Sequence, residues 1–334
     1  MRPERTARKG GATGIVLPSA RVDQFLQTLK DSIAIGSLYA LIALGYTMVY
    51  GILKFINFAH SDIVVLGAWV SLTLARWLEA QTAAAWTAAS PPGFYVGVFV
   101  LIAAMAFCGL VGFTIERLAY KPLRKAPRLN VLITAIGVSL FLQNIGQLER
   151  AFGTRPASIP ALLPDRTLVA IGRVNITLLD LVGVGTALTL MVALEWLIFH
   201  TKLGRAMRAV SHSTTTASLM GIPVNRVISF TFVLGSALAA AGGFLWALKY
   251  QQIKQTADTS WTLLGLKAFV AAVVGGIGNV RGAMLGGLAI GTLEMFGSAY
   301  YRSSMADVYV FGLLIIVLLV RPGGILGKAT VDKV

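Results

Sequence analysis

Apolar runs of roughly the length of a membrane-crossing helix alternate with short polar stretches along nearly the whole chain. A bilayer core of about 30 Å needs roughly 20 apolar residues per helix. Residues 33–50 form the first such run, 57–75 the second, 94–115 the third and 129–148 the fourth. A polar connection at 149–177, with Pro156, Pro160 and Pro164, separates these from runs at 178–199 and 228–248. Residues 262–279 and 282–301 follow as a pair, each with one charge inside it, Lys267 and Glu294, and 308–320 closes the set. The pattern predicts an all-α polytopic membrane protein.

Two loops rich in Lys and Arg, 117–128 and 200–226, are expected to be cytoplasmic by the positive-inside rule. If the basic amino-terminal segment also stays inside, the first two runs together cross an odd number of times. The simplest solution has about eight transmembrane helices plus a re-entrant or broken segment near residues 57–75. Residues 1–30 are then a cytoplasmic tail with a short surface helix at 22–29, 31–321 the transmembrane domain, and 322–334 a second cytoplasmic tail. The alternative is nine full crossings with the amino terminus outside.

The second run stands apart because Lys54, Asn57, His60 and Asp62 occupy or border it where Leu, Ile and Val would suit lipid. Polar groups at membrane depth are costly and usually face a protein interior or a water-filled path. A re-entrant backbone is tolerated only where it is buried or lines a cavity. Asn57, His60 and Asp62 are therefore candidates to line the route of a small polar solute, with Lys267 or Glu294 balancing the charge of Asp62. On a regular helix 57 and 60 are one turn apart while 62 points elsewhere. The competing reading is a helix start, with Asn57 or Ser61 as cap and Asp62 in the first turn, favoured by the dipole. A second Gly-interrupted segment, 265–278, lies in the other half of the chain. Paired interruptions of this kind point to a midplane site between inverted repeats.

Small residues four apart, Gly93 and Gly97, Gly282 and Gly286, Gly287 and Gly291, with the small run 239–243, predict close helix packing. Residues 200–226 are too polar to span the membrane. Met207, Val210, Leu219 and Met220 give this basic stretch apolar points, and Gly221 with Pro223 reads as a helix stop. A short helix with exposed apolar anchors suits a partner's groove; an amphipathic helix lying on the membrane is the alternative.

Composition narrows the class further. The 334 residues are 56% hydrophobic and 13% charged, with mean hydropathy +0.75, against about a quarter charged in soluble domains. The net charge of +15 sits in short loops beside apolar runs, which suits orientation and contact with anionic lipid, not nucleic acid. Cys108, the only cysteine, lies in an apolar run, so neither an intrachain disulfide nor a thiolate cluster forms. Residues 1–30 lack the apolar core of a cleavable signal.

Enzyme signatures are missing. Residues 322–329 resemble a phosphate loop with the first Gly misplaced and no hydroxyl after Lys328, and 276–281 fail as a dinucleotide fingerprint at the third Gly. His60, His200 and His212 are scattered, so no metal or cofactor is expected. The chain has no visible means of hydrolysing ATP.

Six motifs in order carry a resemblance: Gly36 to Gly51, Ile56 to His60, Glu116 to Arg124, Thr201 to Gly221, Lys267 to Gly278 and Arg321 to Gly327. From about residue 24 onward the chain resembles the LivH-type permease subunits of branched-chain amino-acid ABC importers. Where family members commonly read Asn-x-x-His-Gly-Glu, Ser61 and Asp62 replace the Gly-Glu pair. Residues 211–216 are uncharged where relatives often carry acids.

The resemblance implies a bacterial inner-membrane subunit that passes Leu, Ile or Val inward. It further implies a related second permease, two ATPase subunits and a periplasmic binding protein as partners. The loop would dock on an ATPase through Lys202, Gly204, Arg205, Arg208, Ala217 and Gly221. Permeases for urea or short amides resemble the chain similarly. A stand-alone channel or ion-coupled carrier would also need a polar path.

Overall fold

The computed structural model describes residues 18–82, 85–87, 89–124, 126–172 and 174–327. The expected tail segments 1–17 and 328–334, and Lys125 of the basic loop, lie outside the described residues. Among the described residues nine helices make the body: α1 (Pro18–Leu53), α2 (Ala59–Ala80), α3 (Phe94–Ile115), α4 (Arg128–Gly146), α5 (Leu178–His200), α8 (Val224–Tyr250), α9 (Thr259–Gly275), α10 (Val280–Gly297) and α11 (Ala306–Val320). Two short helices, α6 (Lys202–His212) and α7 (Thr214–Leu219), fill the connection from α5 to α8, and a π-helical turn, Glu116–Tyr120, follows α3. Four short strands pair as β1 (Ala157–Ser158) with β4 (Gln252–Ile253), and β2 (Thr167–Ile171) with β3 (Val174–Thr177).

Among the described residues seven runs are long and apolar enough to cross a membrane, the last being 280–320, which contains both α10 and α11. The shorter α9 is also apolar. The expected surface helix at 22–29 and the first apolar run are instead one continuous 36-residue helix. The hydroxyls of Thr28 and Ser32 donate to Gln24 O (2.8 Å) and Thr28 O (2.7 Å), so the polar stretch satisfies itself without leaving the helix.

The predicted break at 57–75 falls earlier. Helix α1 stops where Lys54 takes a left-handed conformation with φ 57°. The chain then crosses five residues and runs uninterrupted for 22 residues in α2. Gly67 does not interrupt this helix; it lets α2 lie against Ala240 of α8.

Contacts sort the connections onto two faces. On the strand face, β1 pairs with β4, Trp69 Nε1 donates to Lys254 O (3.1 Å), Arg76 Nη2 to Ser158 O (3.1 Å), Lys30 Nζ to Asn175 O (3.1 Å) and Gln24 Nε2 to Ala299 O (3.3 Å). On the α6 face, Arg124 Nη1 donates to Asn225 Oδ1 (2.6 Å) and Arg281 Nε to Glu195 Oε1 (2.7 Å). The nine body helices therefore alternate in direction. Residues 21–30 lie opposite 200–226, whereas the positive-inside count put both on one side. In chain direction this arrangement has the alternation that the nine-crossing alternative requires.

Helix α1 is the centre, enclosed by α8, α9 and α10, and residues 38–44 of it are entirely buried. Helices in lipid gain little from apolar contact alone, so close approach through small residues holds them. A Cβ on Gly287 would overlap Ala40, and one on Gly291 would overlap Gly36, so α1 and α10 meet backbone to backbone. Gly93 and Gly97 make no such approach: the nearest atom to a Cβ on Gly93 is 3.8 Å away, on Tyr95, and Gly97 meets none within 4 Å.

Residues 321–327 fold back as a strap. Ile325 N donates to Val274 O (2.8 Å) and Leu326 N to Gly275 O (3.0 Å), satisfying carbonyls at the end of α9.

Candidate functional site

The polar residues around the α1–α2 break do not converge. Asn57, 3% exposed, precedes the first turn of α2, and its Oδ1 accepts from the hydroxyl of Tyr120 in the π turn at 2.6 Å. His60, 1% exposed, faces α1, where its Nε2 lies 3.2 Å from Ile42 O and its ring centre 4.3 Å from that of Tyr46. The imidazole fills the space left by Gly45, whose Cβ would stand 2.6 Å from Nε2. Asp62, 6% exposed, faces α4 and accepts from Gln143 Nε2 at 2.9 Å, while its Oδ2 has no hydrogen-bond partner among the described residues. Since α2 is regular from Ala59, positions 60 and 62 fall on different sides, as helical spacing requires. Neither Asn57 nor Ser61 caps the helix with its side chain, but Asp62 does stand in the first turn, where the dipole favours an acid.

Lys267 and Glu294 serve each other rather than Asp62. Lys267 Nζ lies 2.7 Å from Glu294 Oε1 and 2.8 Å from Asp307 Oδ1, and Tyr39 OH donates to Glu294 Oε2 at 2.7 Å. Four elements, α1, α9, α10 and α11, are pinned by this cluster. A buried ion pair needs such added hydrogen bonds to offset its desolvation.

Two further charge clusters escape sequence reasoning because their members sit at span ends, where a charge reads as a boundary. Glu116, wholly buried, accepts from Ser229 Oγ at 2.5 Å and pairs with Arg124. Asp180 holds Lys30 at 2.8 Å and Lys249 at 3.1 Å, joining α5 to α1 and α8 on the strand face. Also on that face, outside the spans, Asp258 caps α9; the Ser260 hydroxyl and N–H hold its carboxyl below the usual carboxylate range.

A cavity of about 650 Å³ opens beneath the α1–α2 break, bounded by Ile52 to Phe55, Tyr120, Arg124, the end of α6 with the start of α7, and the start of α8. Tyr120 links this cavity to Asn57, while His60, Asp62, Lys267 and Glu294 are not among its lining residues.

Residues 202–221 form a tethered, amphipathic corner. Thr201 caps α6 by accepting from Gly204 N (3.0 Å), and Gly204, Met207, Val210 and Ala217 are buried against the body. Gly204 is required where α6 presses on the carbonyls of Leu197 and Ile198. Arg208 donates to Ile198 O and lies 5.3 Å over the Phe199 ring, which Arg281 also covers at 5.1 Å. Lys202 and Arg205 point outward, and Leu219 and Met220 are 82% and 78% exposed. Gly221 ends the corner with φ +76°.

No three metal-ligating side chains come together among the described residues. The family model for the branched-chain amino acid transport system permease component matches residues 28–319. The high-affinity branched-chain amino acid transport system permease protein LivH of Salmonella typhimurium is 41% identical over 314 residues, covering 93% of this chain and 98% of that protein. The protein BraD of Pseudomonas aeruginosa, described in the same words, is 40% identical over 316 residues, again 93% and 98%. Among solved structures, PsaBC from Streptococcus pneumoniae in complex with Fab covers 90% of this chain and 92% of that one, at 11% identity and a TM-score of 0.45.

Proposed function

The chain belongs to the family of branched-chain amino acid transport system permease components, and from that premise we propose that it is the membrane-spanning subunit of an ATP-driven importer for leucine, isoleucine and valine. It is a permease, not an enzyme. The observation that carries the reading is 40–41% identity along nearly the full length of relatives described as such permeases. ATP hydrolysis falls to two partner ATPases, cargo is delivered by a periplasmic binding protein, and a related permease supplies the other half, all at the bacterial inner membrane.

The tethered corner suits the ATPase contact. Leu219 and Met220 offer an apolar knob, with Lys202 and Arg205 outward on the same corner. Force on that corner passes to α5 through Gly204 and Arg208, and to α10 through the Phe199–Arg281 stack. Each ligand must favour one orientation of the path for such a push to drive transport. With 200–226 cytoplasmic, the strand face and residues 21–30 meet the periplasm. Asn57 and Tyr120 then border the inner mouth, and Asp62 bears on the path through α4. The complete complex in vesicles should accumulate leucine only with ATP and binding protein. Leucine flux through this chain alone would refute the importer reading in favour of a channel or carrier, and transport of urea in place of leucine would reassign the cargo.

A further inference from the structure

The cavity beneath the α1–α2 break has walls of two kinds. Ile52, Val131, Val210 and Ile228 are aliphatic, while Lys54, Arg124 and His212 bring basic groups and Ser211 and Thr214 bring hydroxyls. Among the described residues its lining holds no carboxylate, and Glu116 stands behind Arg124, wholly buried. Among the described residues Lys54 has no ion-pair partner, and it stands on the one left-handed residue of the break. Strained positions of this kind persist where the surroundings enforce them and cluster at ligand sites. About 650 Å³ is within the range of small-molecule sites.

An aliphatic chamber with unbalanced positive charge suits a small aliphatic carboxylate. A branched-chain amino acid arriving on the α6 face is such a molecule. We propose that this cavity is a second, exit-side binding site for the imported amino acid, through which accumulated cargo restrains its own entry. The inference rests on the importer reading. Its mechanism follows from the walls: α6 and α7 form one side and the α1–α2 break the other, so an occupant braces the coupling corner against the body. Any motion that changes this gap is opposed, since a ligand that fits one separation favours that state.

The test uses the complete complex in vesicles, with binding protein and labelled leucine outside, ATP inside, and the lumen either empty or preloaded. Luminal leucine should lower initial uptake and the coupled ATP hydrolysis together, several-fold at saturation. Luminal 4-methylpentanoate, which keeps the carboxylate and side chain, should act likewise, and leucinamide, which lacks the carboxylate, should not. In the double variant Lys54→Ala, His212→Ala, and separately in Val131→Phe, which fills the apolar wall, the ratio of loaded to empty rates should return toward one. Equal rates in loaded and empty wild-type vesicles overturn the inference and leave the importer intact. Equal inhibition by leucinamide, or inhibition unchanged in both variants, also overturns it. Absence of ATP-dependent uptake in empty vesicles removes the importer reading itself.

Discussion

At the scale of single residues, the buried charges divide into those with ionic partners and Asp62, which has none among the described residues. Lys267 is held between Glu294 and Asp307, so removing the cation leaves Glu294 buried with only a tyrosine for company. Lys267→Met should cost about 3 kcal/mol of stability, whereas Glu294→Gln, which leaves Lys267 its second acid, should cost clearly less. Thermal melting of the purified complex separates the two. Asp62 is held by a neutral donor, Gln143, and its Oδ2 has no hydrogen-bond partner among the described residues. If its charge serves transport, Asp62→Asn lowers uptake roughly tenfold, equivalent to about 1.4 kcal/mol, while the yield of complex stays near wild type. Equal losses of yield and uptake would make Asp62 a structural residue of the first turn. The unusual residues were visible in the sequence as interruptions of apolar runs; their partners were not. Lys267 and Glu294 are 27 positions apart, and Tyr39 reaches them from the opposite end of the chain, a distance that no local spacing encodes.

At the scale of elements, hydrophobic periodicity located the apolar body helices well, because a lipid-facing helix must be apolar for its whole length. It could not place the break before α2, which depends on the backbone of Lys54 rather than on any Gly or Pro. The small-residue pairs on α10 were legible because their spacing marks one helix face. Gly93 and Gly97 show the same spacing without a neighbour to use it. Gly287→Leu should therefore prevent recovery of folded protein, whereas Gly97→Leu should be recovered normally; the yield of monodisperse protein in detergent measures both. On the coupling corner, Leu219→Ser with Met220→Ser should weaken capture of the ATPases by at least tenfold, given about 1.5–3 kcal/mol for each large apolar side chain buried. The isolated permease should be unaffected, since both side chains are exposed. Gly221→Leu disturbs the same corner through its backbone, a left-handed position costing a residue with Cβ about 1–2 kcal/mol. ATP hydrolysis should then proceed with less uptake.

For the whole molecule, sidedness is the point at which charge counting and the direction of the helices differ. Of the basic residues at 18–30, Lys30 is an internal partner of Asp180 and Asp31 and not a free loop charge. Arg21 is then the one basic residue of the described part of the first segment left to count toward the side of 200–226. A membrane-impermeant thiol reagent applied to intact spheroplasts should label Val22→Cys and spare Thr215→Cys. Both positions are exposed, and the native Cys108 is buried. Labelling of both or of neither would return the topology to an even number of crossings.

The strap at 321–327 has a consequence for biogenesis. Until Ile325 and Leu326 have been made, the carbonyls of Val274 and Gly275 lack the donors they will finally have. The α9–α10 hairpin thus emerges from the ribosome with one edge unfinished, and only synthesis of the strap seals it. A nascent chain halted after α11 would carry all nine body helices described above and still present a loose end to quality-control proteases.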